Sequence, residues 1–497
     1  MSTNNKSNHN IKKSSVKGAG ITLFSQGISI FIQIISTVIL ARLLNPDDYG
    51  ILAMVMSVTV FAGIFRDLGL SSAAIQKKVL TNEQQSNLFW LNIAVGLTLT
   101  LVVSLMAPVV VWFYERPELL WVTMVMSLSF VFTSLGAQSG AILIRNMQFG
   151  LSSLIKIVGA TVTLIIAVFC TLSNLSYWSL VLGNLAGALA TSLLLLKYSP
   201  FTPTLPTKGA GIRSMVHFGA NVTAFNFVNY FSRNLDNILI GRFVGASALG
   251  TYSKAYQLLL FPITAIVGPL NSVAFPAMSR LDSKSAEYRD YYMDLIRILA
   301  LITMPIMVFM HSASEEVIII LLGDQWTEVI PIFSALAFVG LIQPVSSMRG
   351  LILLSSGESK KYLHAGLFTT IFVSISFLIG ISHGVMGIVW AYVIIEWLLV
   401  LPMHIYASKN TSITNSDLLK AIFSPLTCAI LAGGCLYIIN LMILDYSILI
   451  GLLIKSTVIV FFAVISIVIS KNNRRVFFGV LRHIQQLISE RSKKLHD

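Results

Sequence analysis

Charge is scarce in this 497-residue chain: Asp, Glu, Lys and Arg together make up 11% of it, against roughly 25% in an average soluble domain. A water-facing surface for a 54.5 kDa globule cannot be built from so few, which excludes a soluble enzyme and a disordered scaffold. Cysteine is nearly absent. Cys170, Cys428 and Cys435 sit in apolar runs at no metal-ligand spacing, so neither a disulfide framework nor a zinc site is expected. The chain has no Gly-x-x-x-x-Gly-Lys-Ser/Thr loop, no His-Glu-x-x-His pair and no acidic metal motif. Nucleotide hydrolysis by a P-loop therefore finds no support, and no cofactor is expected. Long polar connections are missing too, which leaves no room for a soluble catalytic domain.

What the chain has instead is apolar length: 55% hydrophobic residues and a mean hydropathy of +0.80. A helix that crosses a bilayer needs about 20 mostly apolar residues. Runs of that kind lie at 18–41, 50–70, 86–111, 119–144, 150–171, 175–196, 214–241, 250–276, 295–314, 329–350, 363–382, 384–406, 419–441 and 446–469. The expected fold is an all-α polytopic membrane protein of fourteen transmembrane helices.

The basic residues give an orientation. With the N-terminus in the cytoplasm, the even-numbered loops and both tails hold 25 of the 34 Lys and Arg residues. The opposite face has only Arg42, Arg116 and Arg242, against nine carboxylates that include Glu315, Glu316, Asp324 and Glu328. This is the positive-inside bias, and it predicts a cell inner-membrane protein with both termini cytoplasmic. The net charge of +13 is then mostly an orientation signal. It implies attraction to the anionic lipids of the inner leaflet and does not imply nucleic acid. From Lys471 to Asp497, Phe477, Val480, Leu481, Ile484, Leu487 and Ile488 recur at helical spacing among basic residues, as in an amphipathic helix lying on the membrane.

The chain also repeats itself at an offset of 200. Arg42 pairs with Arg242, Gly50 with Gly250, Phe31 with Phe231 and Phe61 with Phe261. Spans 1 and 7 both run outward, so the repeat is parallel, with six spans in each half. A substrate site between such halves is a recurrent transporter arrangement. The expected organisation is a tail at 1–17, an N-lobe at 18–197, a linker at 198–213, a C-lobe at 214–406, two further spans within 419–470, and a basic tail at 471–497.

Polar residues follow the repeat. Span 1 carries Gln26, Ser29, Gln33, Ser36 and Thr37 on one helical stripe; span 7 carries Asn226, Asn229, Arg233, Asp236 and Asn237 at those positions plus 200. Spacings of three and four put each set on a single face. Such a face turns away from lipid, either toward a watery cavity or into helix–helix hydrogen bonds.

Setting aside Arg297 and Lys420 at the cytoplasmic edges of their spans, nine charged residues fall inside spans: Arg66, Asp67, Lys156, Arg233, Asp236, Lys254, Arg349, Glu396 and Lys455. Each must be paired, snorkelled to an interface or functional. Arg233 and Asp236, three apart, are placed to pair. Lys254 is near the outer end of span 8 and within reach of that interface. Lys156, Arg349 and Lys455 are assigned to the cytoplasmic ends of their spans. Glu396 lies deep in span 12 and is the candidate for proton or ion coupling, or else a satisfied structural carboxylate. Arg66, Arg233 and Lys254 outnumber the carboxylates around them, a balance that suits an anionic substrate, since arginine grips phosphate oxygens through its planar fork. The accompanying Asn, Gln, Ser and Tyr230 offer hydrogen bonds suited to hydroxyl-rich cargo such as sugars. Pro262, Pro269 and Pro276 recur every seven residues in span 8 and point to a bent or cavity-lining helix. Gly183-x-x-x-Gly187 in span 6 predicts close helix packing.

Four segments carry a family resemblance: Ala41-Arg42-Leu43-Leu44-Asn45-Pro46-Asp47-Asp48-Tyr49-Gly50, Phe65-Arg66-Asp67-Leu68-Gly69-Leu70, Tyr230-Phe231-Ser232-Arg233-Asn234-Leu235-Asp236-Asn237, and Phe275-Pro276-Ala277-Met278-Ser279-Arg280-Leu281. Over nearly its whole length the chain resembles the Wzx-type flippases of the multidrug/oligosaccharidyl-lipid/polysaccharide superfamily, and among them the colanic-acid-type exporters. The resemblance implies translocation of undecaprenyl-diphosphate-linked oligosaccharide for O-antigen, capsule or exopolysaccharide. It also implies two six-helix lobes in a V, alternating access and a cation-lined cavity, with a polysaccharide polymerase and assembly proteins as partners. The related peptidoglycan-precursor flippases place an arginine in span 1, where this chain has Gln26 and Gln33. Two rival readings remain: a drug/cation antiporter, which calls for acidic cavity residues, and a membrane oligosaccharide polymerase, which calls for catalytic acids near the outer face.

Overall fold

The computed structural model describes residues 25–66, 70–76, 80–207, 230, 233–442, 447–479 and 482. Among these residues the secondary structure is helical, with no strand. In chain order the helices are α1 (Ser25–Leu43), α2 (Pro46–Gly63), α3 (Leu70–Gln76), α4 (Asn82–Tyr114), α5 (Leu119–Arg145), α6 (Phe149–Leu172) and α7 (Trp178–Tyr198). Next come α8 (233–243), α9 (Ala246–Met278), α10 (Ala286–Ser312), α11 (Ser314–Leu321), α12 (Val329–Ser347), α13 (Arg349–Ser355) and α14 (Ser359–Gly380). The chain continues with α15 (Gly384–Ser408), α16 (Asn415–Met442) and α17 (Ile448–Ile469), then α18 (471–479).

Eleven of the described helical stretches are long and apolar enough to cross a membrane. One of them, Ser359–Ser408, runs to 50 residues and is divided at 381–383 into α14 and α15, where Gly384 takes φ +67°. Lipid-facing residues such as Leu101, Leu105, Trp112, Phe169 and Leu449 stay exposed on the protein's outside, as apolar solvent requires. This is a multi-pass membrane protein. The span expected at 50–70 is shorter than the sequence suggested. Its helix α2 starts at Pro46 and ends at Gly63, and the chain then turns through Arg66 before α3. Most of the span expected at 214–241 lies outside the described residues.

Local chemistry sets the ends of these helices. Asn45 caps α2 with Pro46 in the first turn, and the Asn45 N–H donates to Asp48 Oδ2 at 3.0 Å. Thr81 caps α4 through its hydroxyl, which accepts from the Gln84 N–H at 3.3 Å. Ser285 does the same for α10 with the Tyr288 N–H at 3.1 Å. These caps satisfy first-turn donors that the helix itself leaves open. The α4 helix stops where Glu115 turns left-handed, at φ +57°.

The chain divides into two compact units, Met1–Ser253 and Lys254–Asp497. In the first, α4, α5 and α7 pack side by side. A Cβ on Gly96 would come within 2.8 Å of Ser134 Cβ, and one on Gly187 would fall 2.9 Å from Gly159 O. The Gly183-x-x-x-Gly187 run therefore packs as its spacing predicts, against Thr163 and Ala167 of α6. The first unit extends two turns into α9, where α8 and the first turns of α9 pack on α2 and α4. In the second unit, α10, α12 and α15 form the interior, with α16 and α17 against α10. Gly340 lets Met307 approach, since a Cβ there would meet Met307 Sδ at 2.2 Å.

Two expectations change here. Lys455 was assigned to the cytoplasmic end of its span and Glu316 to the outer loop, yet they form a buried ion pair between α17 and α11. Lys455 lies seven residues after the start of α17, in its N-terminal half, and finds its counter-ion there. The connection between α10 and α12, expected as an outer loop, contains α11, whose Ile318 is buried and followed by a fully buried Trp326. Of the amphipathic tail, 471–479 is helical, and Arg475 reaches Asp294 at 3.1 Å. The rest of the tail lies outside the described residues.

Candidate functional site

The stripe on α1 is open at two of its glutamines. Gln26 and Gln33 are exposed, Ser29 and Ser36 are half-buried, and Thr37 is buried. Ser29 Oγ turns back to the Ser25 carbonyl at 2.9 Å. Neither glutamine amide is committed to a packed core, so both are free to exchange hydrogen bonds with a passing hydroxyl-rich group.

Arg66 is anchored at the end of the turn that follows α2. Its Nη1 donates to Thr133 Oγ1 on α5 at 3.1 Å, and Thr133 in turn donates to the Ser129 carbonyl at 2.6 Å. The guanidinium is half-buried, and this contact to a neutral hydroxyl helps hold it in place. Asp67 lies outside the described residues.

On α8, Arg233 is exposed and Asp236 is buried. They do not form the ion pair that their spacing suggested. Tyr252 Oη donates to Asp236 Oδ2 at 2.7 Å, and the Asn237 N–H donates to Oδ1 at 2.8 Å. The carboxylate has turned toward α9, where a tyrosine hydroxyl and a backbone N–H satisfy it out of water. Asn237 is half-buried. Asn226 and Asn229 lie outside the described residues. Lys254 does not snorkel outward either: it is 6% exposed, and its Nζ donates to Gln257 Oε1 at 3.2 Å. Of the expected cavity residues, then, Gln26, Gln33 and Arg233 are open, Arg66 is braced, and Asp236 and Lys254 are packed.

Beside this set lies a hydroxyl cluster that sequence reasoning missed. Ser57 Oγ and Tyr114 Oη lie 2.8 Å apart, Ser57 also donates to the Met54 carbonyl at 2.6 Å, and Tyr230 Oη donates to the Ser57 carbonyl. These residues come from α2, α4 and the chain just before α8. No sequence spacing links them, because they are brought together only by tertiary packing.

In the second unit, Arg349 and Glu396 belong to one buried seam. Arg349 Nε donates to the Ser346 carbonyl at 2.8 Å and Nη1 to the Leu399 carbonyl at 3.4 Å. Leu399 is one turn beyond Glu396 on α15, so the guanidinium lies along the helix beside that carboxylate. His404 follows and stacks on Tyr292 of α10, with ring centroids 6.2 Å apart. His404 Nε2, Tyr292 Oη and Ser346 Oγ are all buried without a protein partner. The sequence signal was present in the helical spacing of Ser346 and Arg349 and of Glu396, Leu399 and His404. Among the described residues no cluster of His, Cys, Asp and Glu could hold a metal ion.

A family described as polysaccharide biosynthesis protein matches residues 39–331, more than half of the chain. The chain belongs to that family. The four segments that carried the Wzx-type resemblance all fall inside the matched region. Among curated relatives of this polysaccharide biosynthesis protein, the teichuronic acid biosynthesis protein TuaB of Bacillus subtilis (strain 168) is 29% identical over 393 residues. The match covers 78% of this chain and 80% of TuaB. The lipopolysaccharide biosynthesis protein WzxC of Escherichia coli (strain K12) is 23% identical over 393 residues, covering 78% and 79%. Among solved structures, the lipid II flippase MurJ in an inward closed conformation matches with a TM-score of 0.73 at 16% identity. That match covers 91% of this chain and 99% of MurJ, and at such identity it establishes a common fold.

Proposed function

We propose that this protein is a flippase that carries undecaprenyl-diphosphate-linked oligosaccharide units across the bacterial cytoplasmic membrane, for assembly into O-antigen, capsule or exopolysaccharide. The observation that carries the reading is the conjunction of a polysaccharide biosynthesis family match with the fold of a lipid II flippase. The protein works as a transporter and not as an enzyme. It crosses the membrane fourteen times, α2 and the region around α8 supplying the second and seventh spans, with both termini in the cytoplasm. The bilayer lipids solvate it, and a polysaccharide polymerase and assembly proteins take its product.

In this mechanism the diphosphate contacts Arg66 and Arg233, whose planar forks match phosphate oxygens. The sugars exchange hydrogen bonds with Gln26, Gln33, Asn226, Asn229 and Asn237, while the polyprenyl tail stays in lipid. Asp236 and Lys254, both buried, hold α8 and α9 in shape around that path. A headgroup bearing about two negative charges moves outward down an inside-negative potential, which at about 100 mV contributes roughly 4–5 kcal/mol. Glu396, buried beside Arg349 in the second unit, is the site for any proton coupling. A drug/cation antiporter would need acids where this chain exposes Gln26, Gln33 and Arg233.

The test is the leaflet on which the lipid-linked unit accumulates in a strain lacking this protein. In sealed spheroplasts probed with an impermeant sugar oxidant, single units protected on the inner face are expected. Unpolymerised units on the outer face would replace the flippase with the polymerase reading.

A further inference from the structure

Prolines recur every third residue just after α7, at Pro200, Pro203 and Pro206. Each fixes its own φ at about −65° and confines the residue before it to extended backbone. Six of the eight residues at 199–206 are therefore set to polyproline II by sequence alone. Ser199 takes φ −72° and ψ 140°, the values of that helix. Polyproline II turns once in three residues, so Phe201, Thr204 and Thr207 share one face of the strap, offset from the prolines.

That face lies along the first turns of α4. Phe201 is buried against Phe89 and Ile142, its ring centroid 6.0 Å from that of Phe89. The Thr204 N–H and hydroxyl both donate to Ser86 Oγ, at 3.1 and 2.9 Å, and Trp90 Nε1 donates to the Thr204 carbonyl at 2.8 Å. Asn87 holds the Thr207 backbone twice: Nδ2 donates to the carbonyl at 2.7 Å, and Oδ1 accepts from the N–H at 2.8 Å. Between these contacts, Thr202, Pro203, Leu205 and Pro206 point outward and are exposed. A chain already stiffened in its bound conformation loses little entropy on docking. The second unit makes a similar crossing. After α15, the Ser412 N–H donates to the Ser283 carbonyl at 2.9 Å and Ser412 Oγ to the Ser285 carbonyl at 2.6 Å. Ser285 is the cap of α10, and Ile413 beside this contact is buried. On the six-span repeat, α15 and α10 are the mates of α7 and α4.

We propose that the strap at 199–207 is a permanent clasp, which stays on α4 throughout the transport cycle and ties the end of α7 to the start of α4. The chain beyond Thr207 then sets out from α4 and not from α7, whose end lies roughly 28 Å back along the strap at about 3.1 Å per residue. A hinge at this point would need free backbone torsions, and the prolines and the Ser86, Asn87 and Trp90 bonds remove them. The proposal rests on the transport reading.

The test removes the α4 side of the clasp with Ser86→Ala, Asn87→Cys and Trp90→Phe, adds Thr207→Cys, and replaces Cys170, Cys428 and Cys435 by alanine. A short, membrane-permeant, cleavable dithiol linker then rejoins positions 87 and 207. In a deletion strain, at equal membrane abundance, the unlinked chain is expected to export about 10-fold less surface polysaccharide than wild type. Linking is expected to restore export, and cleavage to lose it again. Wild-type export from the unlinked chain overturns the clasp, because docking is then dispensable. Linking that fails to restore export, or lowers it further, overturns it too, because the strap must then leave α4 or act elsewhere. If that chain does not reach the membrane, Asn87→Cys/Thr207→Cys with Ser86 and Trp90 retained takes its place. Linking is then expected to leave export undiminished, and a loss on linking overturns the clasp. This second pair is also expected to link to completion in purified protein, where no cargo is needed, and incomplete linking there overturns the clasp. Complete linking in a chain that exports no lipid-linked sugar would leave the clasp standing and remove the flippase reading.

Discussion

Lys455 of α17 donates to Glu316 of α11, and both side chains are buried, at 6% and 9% exposure. Glu316 Oε2 finds no other protein partner, so this carboxylate depends on the lysine. Breaking one side of a buried pair leaves an uncompensated charge, typically at a cost of about 3–5 kcal/mol, whereas replacing both by apolar groups is often close to neutral. Glu316→Gln and Lys455→Met are each expected to lower the thermal unfolding midpoint in detergent, and Glu316→Leu/Lys455→Met to recover most of the loss. A double variant that loses as much as the two singles added together would mean the pair is worth nothing as a pair.

The two arginines assigned to the diphosphate differ in how they are held. Arg66 is braced by Thr133, while Arg233 is exposed. A charge-assisted hydrogen bond is worth about 1.5–3 kcal/mol, so Arg66→Ala and Arg233→Ala are each expected to reduce translocation by about 10- to 100-fold. Surface polysaccharide in a complemented deletion strain reads this out, with membrane abundance as the control. Wild-type export from both variants would remove them from the path.

Glu396 is faced by Arg349 from the α12–α13 side, and the seam continues along α15 to His404, which stacks on Tyr292 of α10. If this seam takes up a proton during transport, Glu396→Gln removes the carrier while preserving shape. The expected result is a translocation rate in proteoliposomes that no longer varies with a pH gradient, alongside a wild-type protein that does vary. Identical profiles for the two would leave Glu396 a structural carboxylate.

Glu358, just before α14, accepts from Asn410 Nδ2 at 2.7 Å and from Lys361 Nζ at 3.0 Å. The Asn410 and Lys361 hydrogen bonds hold its carboxyl below the ordinary value of 4.5. A carboxylate with a depressed value in the folded state contributes its full share of stability above the unfolded value. That share is lost as pH falls from about 4.5 through the lower folded value. Glu358→Gln is expected to flatten that part of the acid limb in a thermal-stability scan and to leave neutral pH nearly unchanged.

Much of the helix pattern was legible because apolar runs between charged loops leave little choice. The stretches at 119–144, 150–171 and 384–406 agree with α5, α6 and α15 to within about two residues. The second span came out short because the chain turns at Gly63, a decision made by packing and not by hydropathy. The small helix α11 was hidden because its burial depends on α12 and α17, which are remote in sequence. At the candidate site, residue type was readable and partnership was not. Nothing in the spacing of Arg233 and Asp236 says that Tyr252 will take the carboxylate first, and nothing near Lys254 says that it will stay inside. The offset of 200 was legible in Gly50 and Gly250, but only the fold reveals that these two mates meet.

The three prolines of α9 leave something behind besides a bend. Proline has no N–H, so the carbonyls four residues earlier, on Leu258, Ala265 and Ser272, lose their helical donors while the helix runs on unbroken to Met278. Ala265 and Ser272 lie on exposed turns, and seven residues separate each carbonyl from the next, about 10.5 Å along the axis. Where a helix ordinarily presents a sealed backbone, the exposed turns at Ala265 and Ser272 carry carbonyls without a helical donor. Those acceptors lie two helical turns apart and are written into the main chain, where no side-chain substitution short of removing a proline can erase them.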